Sequence, residues 1–258
     1  MSPATPIITL GEPLIELSEI DSTNMYAMEQ IHAQKALSGS VYQTDFQTNG
    51  KGQHGRIWES HRGENLLCTY ILELNALKQG KNWVPSEQLG LSAAVALGAQ
   101  AFFMEFAGEE TKIKKPNDIY WRDRKAGGIL IENMVKSDRW GKAIIGMGIN
   151  INQTTFDTIE GKPVSLKQIT GKSFDPISLA KELCQHLEHR FLVLENKPFD
   201  QLLSAYNNQL YKKDELVPFK RNNIQFQAKV NGVDKDGHLL IMHGVEERIR
   251  FGEITWLL

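Results

Sequence analysis

The strongest constraint on the fold is a change of texture at Tyr211. Beyond it, residues 215–219, 224–233, 238–243, 247–251 and 254–257 read as short strands at close spacing, with Asp236-Gly237 in a turn between two of them. Roughly 45 residues of this kind suffice for a small β-barrel. Before Tyr211, helical and strand-like stretches are mixed, with no internal repeat. Residues 22–37 are predicted to form a helix, capped by Asp21 or Ser22, carrying Met25, Met28 and Ile31 at three-residue spacing and ended by Gly39. Residues 41–46 read as a strand running into a glycine-rich loop at 48–56, and residues 65–74 as another strand. Residues 86–106 give the longest helical pattern, with Ser86 as cap and many small residues that permit close packing. Three β-like stretches follow at 111–121, 128–134 and 143–151, the first broken by Pro116, which cannot donate to a ladder. Residues 154–171 suggest a loop around one short helix. Asp175-Pro176 supplies a cap and a first-turn proline for a helix to about Leu194, and 199–210 is a further helix. The expectation is an α+β chain: a mixed or antiparallel sheet packed with helices over residues 1–212, and a small β unit over 213–258.

Composition narrows the function classes. The 258 residues hold 29 Lys and Arg against 31 Asp and Glu, a net charge of −2, which argues against a general nucleic-acid binder. Cys68 and Cys184 form no disulfide framework and no zinc pattern, and sit among apolar neighbours as small buried hydrophobes. Residues 1–11 lack a secretory layout, and the apolar run 91–106 contains Gln100 and Glu105 and is short for a bilayer. A cytoplasmic protein is expected.

Four clusters bear on chemistry. Gln47-Thr-Asn-Gly-Lys-Gly-Gln-His-Gly-Arg56, followed by Trp58, combines three glycines with Lys51, His54 and Arg56. Exposed N–H groups and cations make it an anion cradle, although it is neither a Walker loop nor a dinucleotide fingerprint. A glycine-rich run by itself is more often a flexible surface loop. In Lys112-Ile-Lys-Lys-Pro-Asn-Asp-Ile-Tyr-Trp121, a polar Asn117-Asp118 pair interrupts an apolar β context, and Lys125 precedes two glycines that open an apolar strand. A cation at a strand mouth beside bare backbone suits an acyl phosphate; an Asn-Asp turn beside a solvated hairpin explains the spacing equally well. Ser22-Thr23-Asn24 is first of all a helix cap. Gly146-Met-Gly-Ile-Asn-Ile-Asn152 is a strand on which a ligand ring can lie against backbone, or simply one that packs tightly.

Taken in order along the chain, these clusters resemble the biotin protein ligase family from about Ser18 to the C-terminus. The family's Ser-Thr-Asn is Ser22-Thr23-Asn24, and its Gly-Arg-Gly-Arg-x-Gly-Arg-x-Trp loop is similar to Gly50-Lys-Gly-Gln-His-Gly-Arg-Ile-Trp58. Its Lys-Trp-Pro-Asn-Asp corresponds to Lys114-Lys-Pro-Asn-Asp118, its Lys-x-(Ala/Gly)-Gly-Ile to Lys125-Ala-Gly-Gly-Ile129, and its Gly-x-Gly-Ile-Asn to residues 146–150. Residues 232–240 and 252–254 look like the family's SH3-like C-terminal domain.

The resemblance implies a class II synthetase-like catalytic domain. That domain activates biotin with ATP to biotinyl-5′-AMP and passes it to one lysine of a biotin carboxyl carrier domain, with Mg²⁺ held mainly by phosphate oxygens. By the same correspondence Lys125 is the catalytic residue. Biotin falls to Ser22, Thr23, Asn24, Gln47, Gly50, Lys51, Gly52, Gln53, Gly127 and Gly148. ATP and the adenylate fall to Lys51, Arg56, Trp58, Lys114, Asn117, Lys125 and Asn150, and no protein side chain is assigned to the metal. Three departures stand out: Gln53 in place of the second loop arginine, Lys51 in place of the first, and Lys115 in place of the motif's tryptophan. About 20 residues precede the Ser22 helix, so the expectation is the monofunctional type without a DNA-binding domain, acting as monomer or homodimer away from nucleic acid and membrane. The alternatives are a lipoate–protein ligase or octanoyltransferase, and a non-catalytic biotin- or adenylate-binding protein.

Overall fold

The structure, a computed structural model, describes residues 8–78, 87–136, 139–157 and 162–257. In chain order the elements are β1 (Leu14–Leu17), α1 (Thr23–His32), β2 (Val41–Thr44), β3 (Asn65–Glu73), α2 (Gln88–Ala107), β4 (Thr111–Lys114), β5 (Asp118–Trp121), β6 (Arg124–Lys136), β7 (Arg139–Asn150), α3 (Leu166–Thr170), α4 (Pro176–Asn196), α5 (Phe199–Asn208), β8 (Leu216–Arg221), β9 (Ile224–Val233), β10 (Leu239–His243), β11 (Val245–Ile249) and β12 (Thr255–Trp256). The first seven strands form a mixed sheet in the order β1-β2-β3-β7-β6-β5-β4, in which only β1 and β2 run parallel. The last five form an antiparallel sheet, β11-β10-β9-β8-β12. This is the α+β architecture expected from the sequence.

Several boundaries differ from expectation for local reasons. α1 ends at His32, well before Gly39, because Gln34 turns into the left-handed region at φ 57°. Ser22 stands at its cap position but makes no capping bond; its own N–H is taken by the Asp21 carboxylate at 2.6 Å. Ser86, the expected cap of α2, lies outside the described residues. Pro116 sits in the turn of the β4–β5 hairpin, where no ladder bond is asked of it. β6 begins at Arg124, earlier than expected, so Lys125 is its second residue. β1 was not anticipated.

The sheet buries two different faces. Alternate residues of β3, Leu66, Cys68, Tyr70 and Leu72, belong to the larger core together with α2 and α4. The small residues of α2 do serve close packing: a Cβ on Gly98 would come within 2.8 Å of the Leu187 side chain of α4. α2 is long and apolar enough to cross a membrane, but 67% of its apolar window is buried inside the protein, as befits a core helix. On the opposite face, Ala27 of α1 packs with Tyr42, Ile71 and Ile144 and covers only part of the sheet.

The five-stranded sheet shares the larger core through Val217, Phe219, Ala228 and Val230. Asn207, near the end of α5, joins the two parts by donating to the Val233 carbonyl (3.0 Å) and accepting from the Val233 N–H (2.7 Å). Replacing it leaves two backbone groups without partners. Asn207→Ala is therefore expected to lower the unfolding free energy by about 1–3 kcal/mol, read as a shift of the urea midpoint at unchanged slope.

Candidate functional site

The strand register places a bare strip on the α1 side of the sheet, beginning under the first turn of α1 and running beyond it. Thr69 pairs with Gly146 and Gly146 with Leu130; Leu67 pairs with Gly148, Gly148 with Gly128 and Gly128 with Asp118. Directly paired residues share a face, so Gly128, Gly146 and Gly148 form a floor of bare backbone, free of side chains of its own, between Thr69 at one end and Asp118 at the other. The glycines are required by what lies on them. A Cβ on Gly146 would meet Asn24 Oδ1 at 2.2 Å, and one on Gly148 would meet Trp58 Cε2 at 2.3 Å.

The first end of the floor is polar and buried. Thr69 Oγ1 donates to Asn24 Oδ1 (2.7 Å), and Asn24 Nδ2 donates to Glu132 Oε2 (2.7 Å). Beside it, the backbone N–H and the hydroxyl of Thr23 both donate to Gln47 Oε1, at 2.8 and 3.0 Å. That pair fastens the N-terminus of α1 to the base of the glycine-rich loop, and Ser22, Thr23 and Asn24 are all buried there.

The loop rises from this base as a narrow hairpin. Trp58 N–H donates to the Gly50 carbonyl (2.9 Å) and Gly52 N–H to the Arg56 carbonyl (2.8 Å), with Lys51 bridged to Ile57. Gly50 has no room for a side chain, since a Cβ would lie 2.4 Å from the Trp58 carbonyl oxygen. Gln53–Gly55 makes the tip, where His54 has φ 55°. Lys51, His54 and Arg56 are exposed on this hairpin, whereas Gln53 is half-buried. The indole of Trp58 folds back over Gly148 and Gly128, and its N–H is buried with no partner among the described residues.

Lys125 closes the other end. Its Nζ lies 2.8 Å from Asp118 Oδ1 and 5.6 Å from the centre of the Trp58 ring. Both charged side chains keep partial exposure, at 24% and 19%. An ammonium has three protons to donate, so Asp118 holds the cation in place while leaving it able to bind an incoming anion. The backbone of Lys125 is clasped as well: its N–H donates to the Lys162 carbonyl (3.2 Å), and its carbonyl accepts from Val164 N–H (2.9 Å) and Asn150 Nδ2 (3.3 Å).

The remaining residues singled out in the sequence take supporting places. Gly127 faces the helix-packed side, paired with Ile119 and Ile149; the floor position belongs to Gly128. Asn117 donates to the Ile129 carbonyl and accepts from the Ile129 N–H, fixing the β5–β6 hairpin. Asn150 is buried and also donates to the Val164 carbonyl (3.2 Å). Lys114 donates to Tyr120 Oη (3.1 Å) and lies over the Tyr120 and Trp256 rings, toward the C-terminal sheet. Lys115 is pushed below its ordinary range by burial and is opposed by the charge of Asp234. Sequence reasoning missed Thr69, Asp118, Gly128 and Glu132 as site residues. Asp118 carried a signal, an acid inside an apolar β context, while Thr69 and Glu132 are recognisable only once the register is known.

Two other features stand apart from the floor. A cleft of about 670 Å³ by Lys112, Arg122, Asp123 and Lys212 shares no lining residue with it and mixes both signs of charge. Asp234, Asp236 and His238 bring three possible metal-ligand atoms within 4.8 Å of one another, but Arg248 already pairs with both carboxylates.

The floor yields a direct test. Gly148→Ala is expected to push Trp58 off the sheet, seen as increased acrylamide quenching of tryptophan emission; the increase should vanish in a Trp58→Phe background.

Residues 17–150, from the last residue of β1 to the end of β7, match the Biotin/lipoate A/B protein ligase family. The Bifunctional ligase/repressor BirA of Escherichia coli is 30% identical over 254 residues, covering 95% of this chain and 74% of that protein. The Biotin–[acetyl-CoA-carboxylase] ligase of Mycobacterium tuberculosis is 26% identical over 182 residues, covering 70% and 64%. The biotin protein ligase of Aquifex aeolicus, solved in complex with biotin and ATP, superposes with a TM-score of 0.74 at 26% identity, covering 94% of this chain and 97% of that one. Sequence and fold therefore agree with the floor, the loop and the lysine: the chain belongs to the biotin/lipoate A/B protein ligase family, among the biotin protein ligases.

Proposed function

We propose that the protein activates biotin with ATP to biotinyl-5′-AMP and transfers the biotinyl group to a lysine of a biotin carboxyl carrier domain. The observation that carries this is the sequence of environments along one sheet face: a buried hydrogen-bonding end at Asn24 and Thr69, a bare glycine floor under an indole, and a single cation, Lys125, at the far end. A ligand with a polar head, an apolar body and a carboxylate tail matches that order, and biotin has it. Lipoate and octanoate lack the head, and leave the Asn24–Thr69–Glu132 network with nothing to recognise.

Carboxylate and triphosphate repel each other, so bringing them together needs fixed cations and N–H donors. Lys125 supplies the central charge, binding the carboxylate and the α-phosphate as the mixed anhydride forms and pyrophosphate leaves. Lys51, Arg56 and the N–H group of Gly50 face the phosphates from the hairpin. Ser22, Thr23 and Gln47 line the head of the pocket, with Lys51, Gly52 and Gln53 over the bound acid and Trp58 over the adenylate. Asn117, Asn150 and Lys114 act toward the nucleotide from their positions around Lys125. Asp118 is salt-bridged to Lys125, which accords with Mg²⁺ held on phosphate oxygens and not by a protein cage. The carrier's lysine nitrogen then attacks the acyl carbon, an amide forms, and AMP leaves with the electron pair of the broken anhydride bond. No protein nucleophile is needed. We assign these steps to residues 1–212, with residues 213–258 as the C-terminal domain. A cytoplasmic setting accords with ATP as substrate and with the two free, buried thiols.

Pyrophosphate exchange into ATP, run in parallel with biotin, lipoate and octanoate, tests the reading. Exchange with biotin alone is expected, falling at least about 100-fold in Lys125→Ala, in line with loss of one fixed group at developing charge. Exchange with lipoate or octanoate instead moves the protein to the lipoyl branch, and no exchange leaves a binding protein. Gln53 also makes a prediction, since a cation is absent where family members carry arginine. Gln53→Arg is expected to slow dissociation of biotinyl-5′-AMP by about tenfold, the worth of one charge-assisted hydrogen bond; an unchanged off-rate removes Gln53 from adenylate retention.

A further inference from the structure

The tip of the glycine-rich hairpin touches the C-terminal sheet. The His54 ring stacks on the Phe251 ring with centroids 4.7 Å apart and planes 13° from parallel. Phe251 sits at the apex of the turn after β11, closed by the Glu253 N–H to Arg250 carbonyl bond and the Glu253 carboxylate on Arg250 N–H, with Gly252 at φ 86°. It is 54% exposed, an uncommon place for a phenylalanine with no part in the core. On the other side of the contact, the hairpin carrying Lys51, Arg56 and Trp58 is closed by one antiparallel bridge, Lys51 to Ile57, made by the two hydrogen bonds that flank it; the Trp58 indole rests on the sheet, and the tip holds a left-handed His54. A two-stranded hairpin of that size is marginal in water. An aromatic pair adds about 0.5–1.5 kcal/mol, enough to decide whether such a hairpin stays down.

We propose that Phe251 is the docking post for this hairpin, so that the C-terminal domain holds the loop closed over the floor. Phe251 is thereby a positioning residue that touches no substrate and acts through His54. The consequence for the reaction rests on the function proposed above: the reactive anhydride escapes to water whenever the tip undocks.

The test uses the full chain and two readouts. Lys51 and Arg56 are exposed on the hairpin, so trypsin cleavage after them reports loop opening without any ligand. Phe251→Ala is expected to speed these cleavages about 2- to 10-fold, the equivalent of one aromatic pair, while cleavage elsewhere and the thermal midpoint stay unchanged. Biotin-dependent AMP release without acceptor should rise by a similar factor. His54→Ala should reproduce both effects, His54→Phe should restore the parent behaviour, and the double variant Phe251→Ala/His54→Ala should be no worse than either single. Unchanged cleavage in Phe251→Ala, or additive effects in the double variant, overturns the proposal. A parent protein that fails to adenylate biotin overturns the proposed function instead, and the trypsin readout still decides the docking.

Discussion

The site rests on a stretch of sheet with no side chains on one face. Glycine inside a strand normally weakens it, losing both packing and conformational restriction. Here Gly128, Gly146 and Gly148 fall side by side because β6 and β7 pair in a register that aligns them, and β7 is held on its other side along its whole pairing with β3, from Asn65↔Asn150 to Glu73↔Lys142. A central position in a wide sheet makes the missing side chains tolerable. Their absence lets an asparagine from a helix and an indole from a loop touch backbone directly. Everything else in the site is arranged along the resulting trough.

Its two ends differ in chemistry because they are built from different elements. The polar end comes from the start of α1, with Gln47 tying helix to loop, so the head of the pocket and the base of the lid form one hydrogen-bonded unit. The charged end comes from the β5–β6 hairpin, whose Asn117 bonds both polar groups of the Ile129 backbone and so fixes where Asp118 stands against Lys125. A partly buried pair of this kind does little for stability. Its use is to hold the ammonium at one spot in the absence of ligand.

How much of this was legible in the sequence follows the range of each signal. Local patterns were: Asp175 caps Ile177 and Ser178 and starts α4 where the Asp-Pro pair said it would, and β9 runs over the anticipated residues 224–233. The four-residue β1 escaped notice because its partner is a parallel neighbour 27 residues on, a pairing that leaves no local turn signature. Helix α1 ran short because a left-handed Gln34 is invisible to periodicity. In the site, Lys125 and Ser22-Thr23-Asn24 stood out by motif. Gly127 was assigned by motif alone, and which of Gly127 and Gly128 faces the floor depends on single-residue parity, which the bulge between Ile119 and Tyr120 obscures in the sequence. Asp118, Thr69 and Glu132 acquire meaning only from residues distant in sequence that lie opposite them.

The clasp on the Lys125 backbone has a mechanical meaning. Both of its peptide groups are tied to residues 162–164, and Asn150 bonds the carbonyls of Lys125 and Val164 at once. Lysine, strand end and adjoining loop segment are therefore hydrogen-bonded into one unit. The position from which the Lys125 side chain reaches into the trough is thus set by a loop segment outside the sheet as well as by the strand that carries it.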